Sequence, residues 1–286
     1  FIDSKFNPKG SLTVGELLIP GTLKEEILIS TYFCHPSLAN DNLSGTLLTT
    51  FLASELLKKR KLKYSYRFLW LPETIGAIAY SYMNEKTLKK IKNGLVISTV
   101  GGPGKFSYKQ SWDKHNSINN YVEKTFKDLK KKFICYPFDV HGSDERQFSS
   151  IGFRINVITI SKDRYYEYPE YHTSEDNLSL VSGKNIFETL KVYLKLIENL
   201  ENKLIYKSKI THCETMLSKY NLYPKNGGAL KPNKYKKSEL DILLWLLFLS
   251  DGYLSTYDIS KKINIDHRTI VRYYSKLEKK GLVKKI

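Results

Sequence analysis

The sequence predicts an α/β domain, a mainly parallel sheet flanked by helices, followed by a small winged helix-turn-helix domain. Three observations carry that reading. Short apolar runs alternate with amphipathic helical stretches through most of the chain, as in βαβ units. A segment rich in Pro, Gly, Asn and Lys, "NLYPKNGGALKPNKYKKS" (221–238), then breaks the alternation. Beyond it the order is helix, helix, longer helix, strand, which is the order of a winged helix.

The elements follow in turn. "EEILISTYF" (25–33) is apolar, β-branched and aromatic, and reads as a buried strand. "YSYRFLWLP" (64–72), "NGLVISTVGG" (93–102) and "FRINVITIS" (153–161) read the same way. Between the first two strands, "NLSGTLLTTFLASELLKKRK" (42–61) pairs apolar residues at 47/48, 51/52 and 56/57, a helical recurrence. Asp41 or Asn42 is a suitable N-cap for this helix. "NSINNYVEKTFKDLKKK" and "SGKNIFETLKVYLKLIENL" carry apolar stripes on one helical face. In the last segment, "SELDILLWLLFL" and "STYDISKKIN" each open on a serine cap, and "DHRTIVRYYSKLEKKGLVKKI" is a longer helix closed by glycine and a strand. The expected domains are 1–225, a linker at 226–235, and 236–286.

The 286 residues are 41% hydrophobic and 26% charged, an ordinary globular composition. The longest apolar run, Ile242 to Leu249, is too short to span a bilayer, so no membrane contact is expected. Three cysteines without clip spacing point to a reducing, cytoplasmic setting. The net charge of +17 suits an anionic partner such as nucleic acid, although lysine is abundant everywhere in the chain and composition alone accounts for much of it. The chain opens on Phe1 rather than methionine, so a preceding part is expected.

"FCHPSLANDNLSG" (33–45) sets polar residues between an apolar strand and an apolar helix. Parallel βαβ units bring successive strand ends to one edge of the sheet, where ligands bind. His35 and Asp41 follow the first strand, Glu73 of "LPETIG" the second, and His172 the fourth. Imidazole and carboxylate donors suit Zn²⁺, with His35, Asp41 and His172 as ligands and Glu73 as a base for water. Taken singly, each residue also has a plainer reading, as a cap, a turn or a surface carboxylate. "GGPGKFSY" lacks the Lys-Ser/Thr ending of a phosphate loop, and "GSDERQFSS" is not a nucleophile elbow.

"HPSLANDNLSG", "LPETIGAIAYS", "HGSDERQFSSIGF" and "EYHTSEDN" together resemble the zinc aminopeptidase superfamily of phosphorylase/hydrolase-like fold. Within it they are similar to the aminopeptidase-like branch often named for polysaccharide biosynthesis. The motifs occur in that family's order over about residues 12 to 225, and the family's terminal winged helix matches the rest. The resemblance implies a metal-bridging role for Asp41, ligand roles for His35 and His172, and the base role for Glu73. It implies supporting or substrate-facing roles for Asp144, Arg146, Tyr171 and Asp176. It also implies a segment ahead of this chain's start.

Three departures from the family pattern remove negative charge. Thr74 stands where a second glutamate ligand is usual, "ISTVGGPG" has no carboxylate, and Ser37 replaces an orienting aspartate. One zinc is therefore expected rather than two, with Asp144, Glu145 or His141 as substitute donors. The implied reaction is hydrolysis of a peptide or related amide. The alternatives are a non-catalytic, ligand-binding peptidase-like domain, or a DNA-binding regulator.

Residues 231–286 hold 13 basic and 6 acidic side chains. On the presumed recognition helix Arg268, Arg272 and Lys276 share a face that could meet nucleic acid. A small module for protein contact is the other reading of the same residues.

Overall fold

The computed structural model describes residues 3–5, 7–35, 37–164, 166–223 and 237–286. Two compact units divide between Glu201 and Asn202.

The first unit is built on a seven-stranded sheet. Its elements are β1 (Gly15–Ile19), β2 (Glu26–Tyr32), α1 (Gly45–Leu57), β3 (Ser65–Leu71), α2 (Ile75–Met83), α3 (Glu85–Leu88) and β4 (Asn93–Val96). They continue with β5 (Ser107–Lys109), α4 (Ser117–Asp128), β6 (Ile134–Tyr136), α5 (Glu145–Phe148), β7 (Asn156–Ser161) and α6 (Gly183–Glu201). The strand order is β1-β3-β2-β4-β7-β5-β6. The centre, β3-β2-β4-β7, is parallel, while β1 and β5 join antiparallel to β3 and β7. This is the expected mainly parallel sheet.

Central strands buried on both faces explain the unbroken apolar runs of the sequence. Leu28, Leu69, Leu71, Val96 and Val157 face one cluster with Ala77, Tyr80, Leu88 and Phe148 from α2, α3 and α5. Side chains alternate along a strand, so Ile29 and Phe68 point the other way. On that face α1 packs on β2 and β3 and meets α6, which also packs on α4. Buried Leu48, Leu52 and Leu56 form the inward stripe of α1.

The connection from β2 through α1 leads to β3 on one side, and the next leads to β4 on the other. The carboxyl end of β2 is thus the topological switch point, where such sheets open a crevice.

The second unit holds β8 (Ile205–Ser208), α7 (Glu239–Leu249), β9 (Asp251–Ser255), α8 (Thr256–Ile263), α9 (His267–Lys279) and β10 (Val283–Lys285). Ser238 and Ser255 close capping boxes with Asp241 and Asp258, as the serine caps predicted. Gly281, at φ 71, turns the chain from α9 into β10. Leu243, Leu246, Ile270, Tyr274 and Leu277 fill the core. The expected linker at 226–235 lies outside the described residues. The division falls earlier than the sequence reading placed it because β8 pairs with both β9 and β10, completing their three-stranded sheet. No helix among the described residues is long and apolar enough to cross a membrane.

Candidate metal centre

His35, Asp41, Glu73 and His172 come together at the carboxyl ends of the central strands. One donor atom each from His35, Asp41 and His172 lies within 4.8 Å of the others. The His35 and His172 rings are 5.5 Å apart, and Nε2 of His35 is 3.8 Å from Oε2 of Glu73.

Asp41 sits in a wide helical turn, Ala39–Ser44, between β2 and α1. Its carboxylate does not cap α1. Oδ1 accepts from the Tyr32 hydroxyl at 2.6 Å, and Oδ2 lies 3.1 Å from Nε2 of His172. Ser44 is the N-cap position and makes no side-chain cap bond, while Oδ1 of Asn42 accepts from Gly45 N, the first N–H of α1, at 3.2 Å. The Asn42 amide also donates to the carbonyl of Tyr32, fastening the turn to the strand end.

Asp176 holds the turn from the other side. It accepts from the backbone N–H of Asn40 at 2.6 Å and of Asp41 at 3.0 Å, and from the Tyr168 hydroxyl at 3.2 Å. Asn40 accepts from Gly101 N and Gly102 N, which ties "GGPG" to the turn carrying Asp41. The Asn40 amide donates to the buried Asp163. These bonds satisfy polar groups that burial would otherwise penalise.

Each expected residue has a definite place. Tyr171 stacks on His172 with centroids 3.9 Å apart, which orients an imidazole that is otherwise half exposed. Asp144 is fully buried, and its Oδ1 accepts from Thr74 N at 2.7 Å. That bond holds Thr74 at φ 59, an outlier for a β-branched residue. Burial pushes the Asp144 carboxyl up to about 7, against the Thr74 N–H and with Glu73 and Glu145 adding to the rise. Oδ2 of Asp144 has no hydrogen-bond partner among the described residues. Arg146 is exposed on α5. Glu145 is committed to the buried Lys109 at 3.0 Å, and His141 offers Lys109 its carbonyl. Neither belongs to a donor cluster among the described residues.

Sequence reasoning missed Tyr32 and Cys34. Tyr32 is the last residue of an apolar strand, and only its place three before His35 hints at the site. Burial first, then Asp41 and Glu73, hold its hydroxyl far above the usual tyrosine range, so it stays a donor. Cys34 adjoins His35, and its Sγ accepts from Glu73 N at 3.3 Å.

The donor set fits one cation. Two imidazoles and one buried carboxylate match zinc chemistry and leave a coordination position open. Nδ1 of His35 is buried without a hydrogen-bond partner among the described residues. A second cation bridged through Asp41 and position 74 is poorly served. Asp41 already gives one oxygen to Tyr32, and Thr74 contributes its N–H to Asp144.

An open α/β sheet with these motifs at its switch point defines an aminopeptidase-like fold. A Clostridium acetobutylicum protein named for polysaccharide biosynthesis and an aminopeptidase-like domain is 42% identical over 269 residues, 94% of this chain and 60% of that protein. The crystal structure of a peptidase-titled protein from the same organism matches with TM-score 0.73 and 38% identity, over 96% of this chain and 60% of that one. A zinc aminopeptidase from Bacillus subtilis shares the fold with TM-score 0.54 and 17% identity, over 65% of this chain and 49% of its own.

The chain belongs to the family described as a domain of unknown function (DUF4910), matched over residues 6–203. Residues 204–285 match a winged helix-turn-helix family. The chain spans about 60% of the length of the Clostridium proteins it matches.

Proposed function

We propose that the first unit is a one-zinc hydrolase of peptide or related amide bonds, with His35, Asp41 and His172 holding the ion and Glu73 acting as general base. The observation that supports it most is the meeting of those three donors, with His172 more than 130 positions from the other two, beside a partly buried glutamate. Zinc, when bound, supplies a Lewis acid for a scissile carbonyl and makes water more acidic. Glu73 takes the proton of the attacking water and passes it to the leaving amine. Tyr32 and Asp176 hold Asp41 in place, and Tyr171 holds His172.

Glu73→Gln is expected to lower hydrolysis of a panel of aminoacyl amides by roughly 10²–10⁴-fold. Its zinc content per chain, measured by mass spectrometry, should match wild type. Wild-type protein that carries zinc yet cleaves nothing in the panel overturns the reading in favour of ligand binding without catalysis.

For the second unit we propose a contact with nucleic acid through α9. Arg268 and Arg272, one turn apart, are exposed on a helix whose other side fills the core. Lys276 is drawn instead to Glu239 at 2.7 Å.

A further inference from the structure

A second donor cluster overlaps the first. One donor atom each from Cys34, His35 and Glu73 lies within 4.8 Å of the others. The sulfur is aimed at the glutamate by the Glu73 N–H that it accepts at 3.3 Å, and the Glu73 carboxylate faces Nε2 of His35 at 3.8 Å. Side chains at the ends of β2 and β3 are neighbours because the two strands run parallel in register, Tyr32 opposite Leu71. The cluster is therefore built into the sheet and does not depend on a distant loop. The three side chains are all partly exposed, so an ion can reach them from solvent.

From this overlap we infer that Cys34, His35 and Glu73 form an inhibitory site for a borderline-soft divalent cation such as Zn²⁺. The inference rests on the proposed function in one respect, that Glu73 is the base. Thiolate, imidazole and carboxylate together select such an ion over Mg²⁺ or Ca²⁺. Tetrahedral zinc with bonds of about 2.0–2.3 Å sets its donors roughly 3.3–3.6 Å apart. Side-chain rotation closes the gap from the separations observed. On binding, the sulfur–metal bond replaces the S–H bond and the thiol proton passes to solvent. The Glu73 N–H continues to donate to the sulfur, the kind of outer contact that steadies a metal ligand.

Occupation of this site takes the base out of use. A first ion stays on Asp41 and His172 while a second, in excess zinc, takes His35 with Cys34 and Glu73, so zinc activates at low concentration and inhibits in excess.

The test uses the full chain with Cys135 and Cys213, both exposed and free, replaced by serine. Titration with Co²⁺ is expected to give a near-ultraviolet thiolate-to-cobalt charge-transfer band. The band should vanish in Cys34→Ser, weaken in Glu73→Gln and persist in His172→Ala, which damages only the other cluster. Excess zinc should inhibit Cys34→Ser at least about tenfold less effectively than its parent. Absence of the band in the parent, or a band that survives Cys34→Ser, overturns the inference. The band is read without substrate, so a chain that shows it but hydrolyses nothing refutes the proposed function alone. Metal-dependent hydrolysis without the band refutes this site alone.

Discussion

The rim of the sheet in the first unit and helix α9 in the second both present charged side chains, but they are made in opposite ways. At the rim, His35 and Asp41 arrive from the connection after β2, Glu73 from the one after β3 and His172 from the one after β7. Asp41, almost fully buried, is fixed by Tyr32, while Asp176 grips the backbone beneath it. On α9, Arg268 and Arg272 come from one continuous helix and stand exposed, while Ile270, Tyr274 and Leu277 do the packing. The first arrangement exists only when the whole sheet is folded. The second needs only a helix with a core-facing side. A preformed cluster around one buried carboxylate suits a small cation and a scissile bond. Exposed arginines on a helix suit an extended polyanion, where attraction is long-range and screened by salt.

The comparison breaks most visibly at Asp176. Asp176→Ala leaves the N–H groups of Asn40 and Asp41 and the Tyr168 hydroxyl without their acceptor. A loss of roughly 3–5 kcal/mol is expected in urea unfolding, from several buried donors left unsatisfied at once. A loss below about 1 kcal/mol would mean the turn carrying Asp41 is held by other contacts.

Asp144 gives the rim a pH signature of its own. A carboxyl whose folded pKa, about 7, exceeds its unfolded value of about 3.9 binds its proton more tightly when folded. Its contribution to stability is therefore present at low pH and lost as pH rises between those values. Asp144→Asn should remove up to about 4 kcal/mol of that decline. Denaturation curves at pH 4.5 and pH 7.5 check it, the variant gaining on wild type at the higher pH.

Tyr32→Phe removes the hydroxyl that donates to Asp41 and should cost about 1.5–3 kcal/mol, the range for a hydrogen bond to a charged group. The smallest effect on folding belongs to α9. Arg268→Ala with Arg272→Ala should change stability by no more than about 0.5 kcal/mol. The same pair should lower the slope of log affinity against log salt for duplex DNA by about 2 in a fluorescence titration. An unchanged slope would move the contact surface off this helix.

The same contrast governs what could be read in advance. The strands at 26–32, 65–71 and 156–161 were legible because burial on both faces leaves unbroken apolar runs. His35, Asp41, Glu73 and His172 were legible because each follows such a run. β5 and β6, three residues each, are too short to show any period, and β1 joins the sheet as an antiparallel edge. β8 carries no sign of belonging with strands more than forty positions further on; only pairing with β9 and β10 reveals it. Tyr32 was hidden for a related reason. In a strand apolar throughout, a tyrosine reads as core, and its hydroxyl is recognised as part of the site only when Asp41 folds back over it. Asn42 rather than Asp41 meets the first N–H of α1, the Asp41 carboxylate being engaged at both oxygens.

A phenol resting on one edge of the Asp41 carboxylate also sets the order of steps for anyone who would rebuild a paired-ion centre on this scaffold. Grafting glutamate onto position 74 would add charge beside a carboxylate whose Oδ1 still accepts from that phenol. For the metal site proposed above, Tyr32 is therefore the strand residue to clear before the loop is recharged.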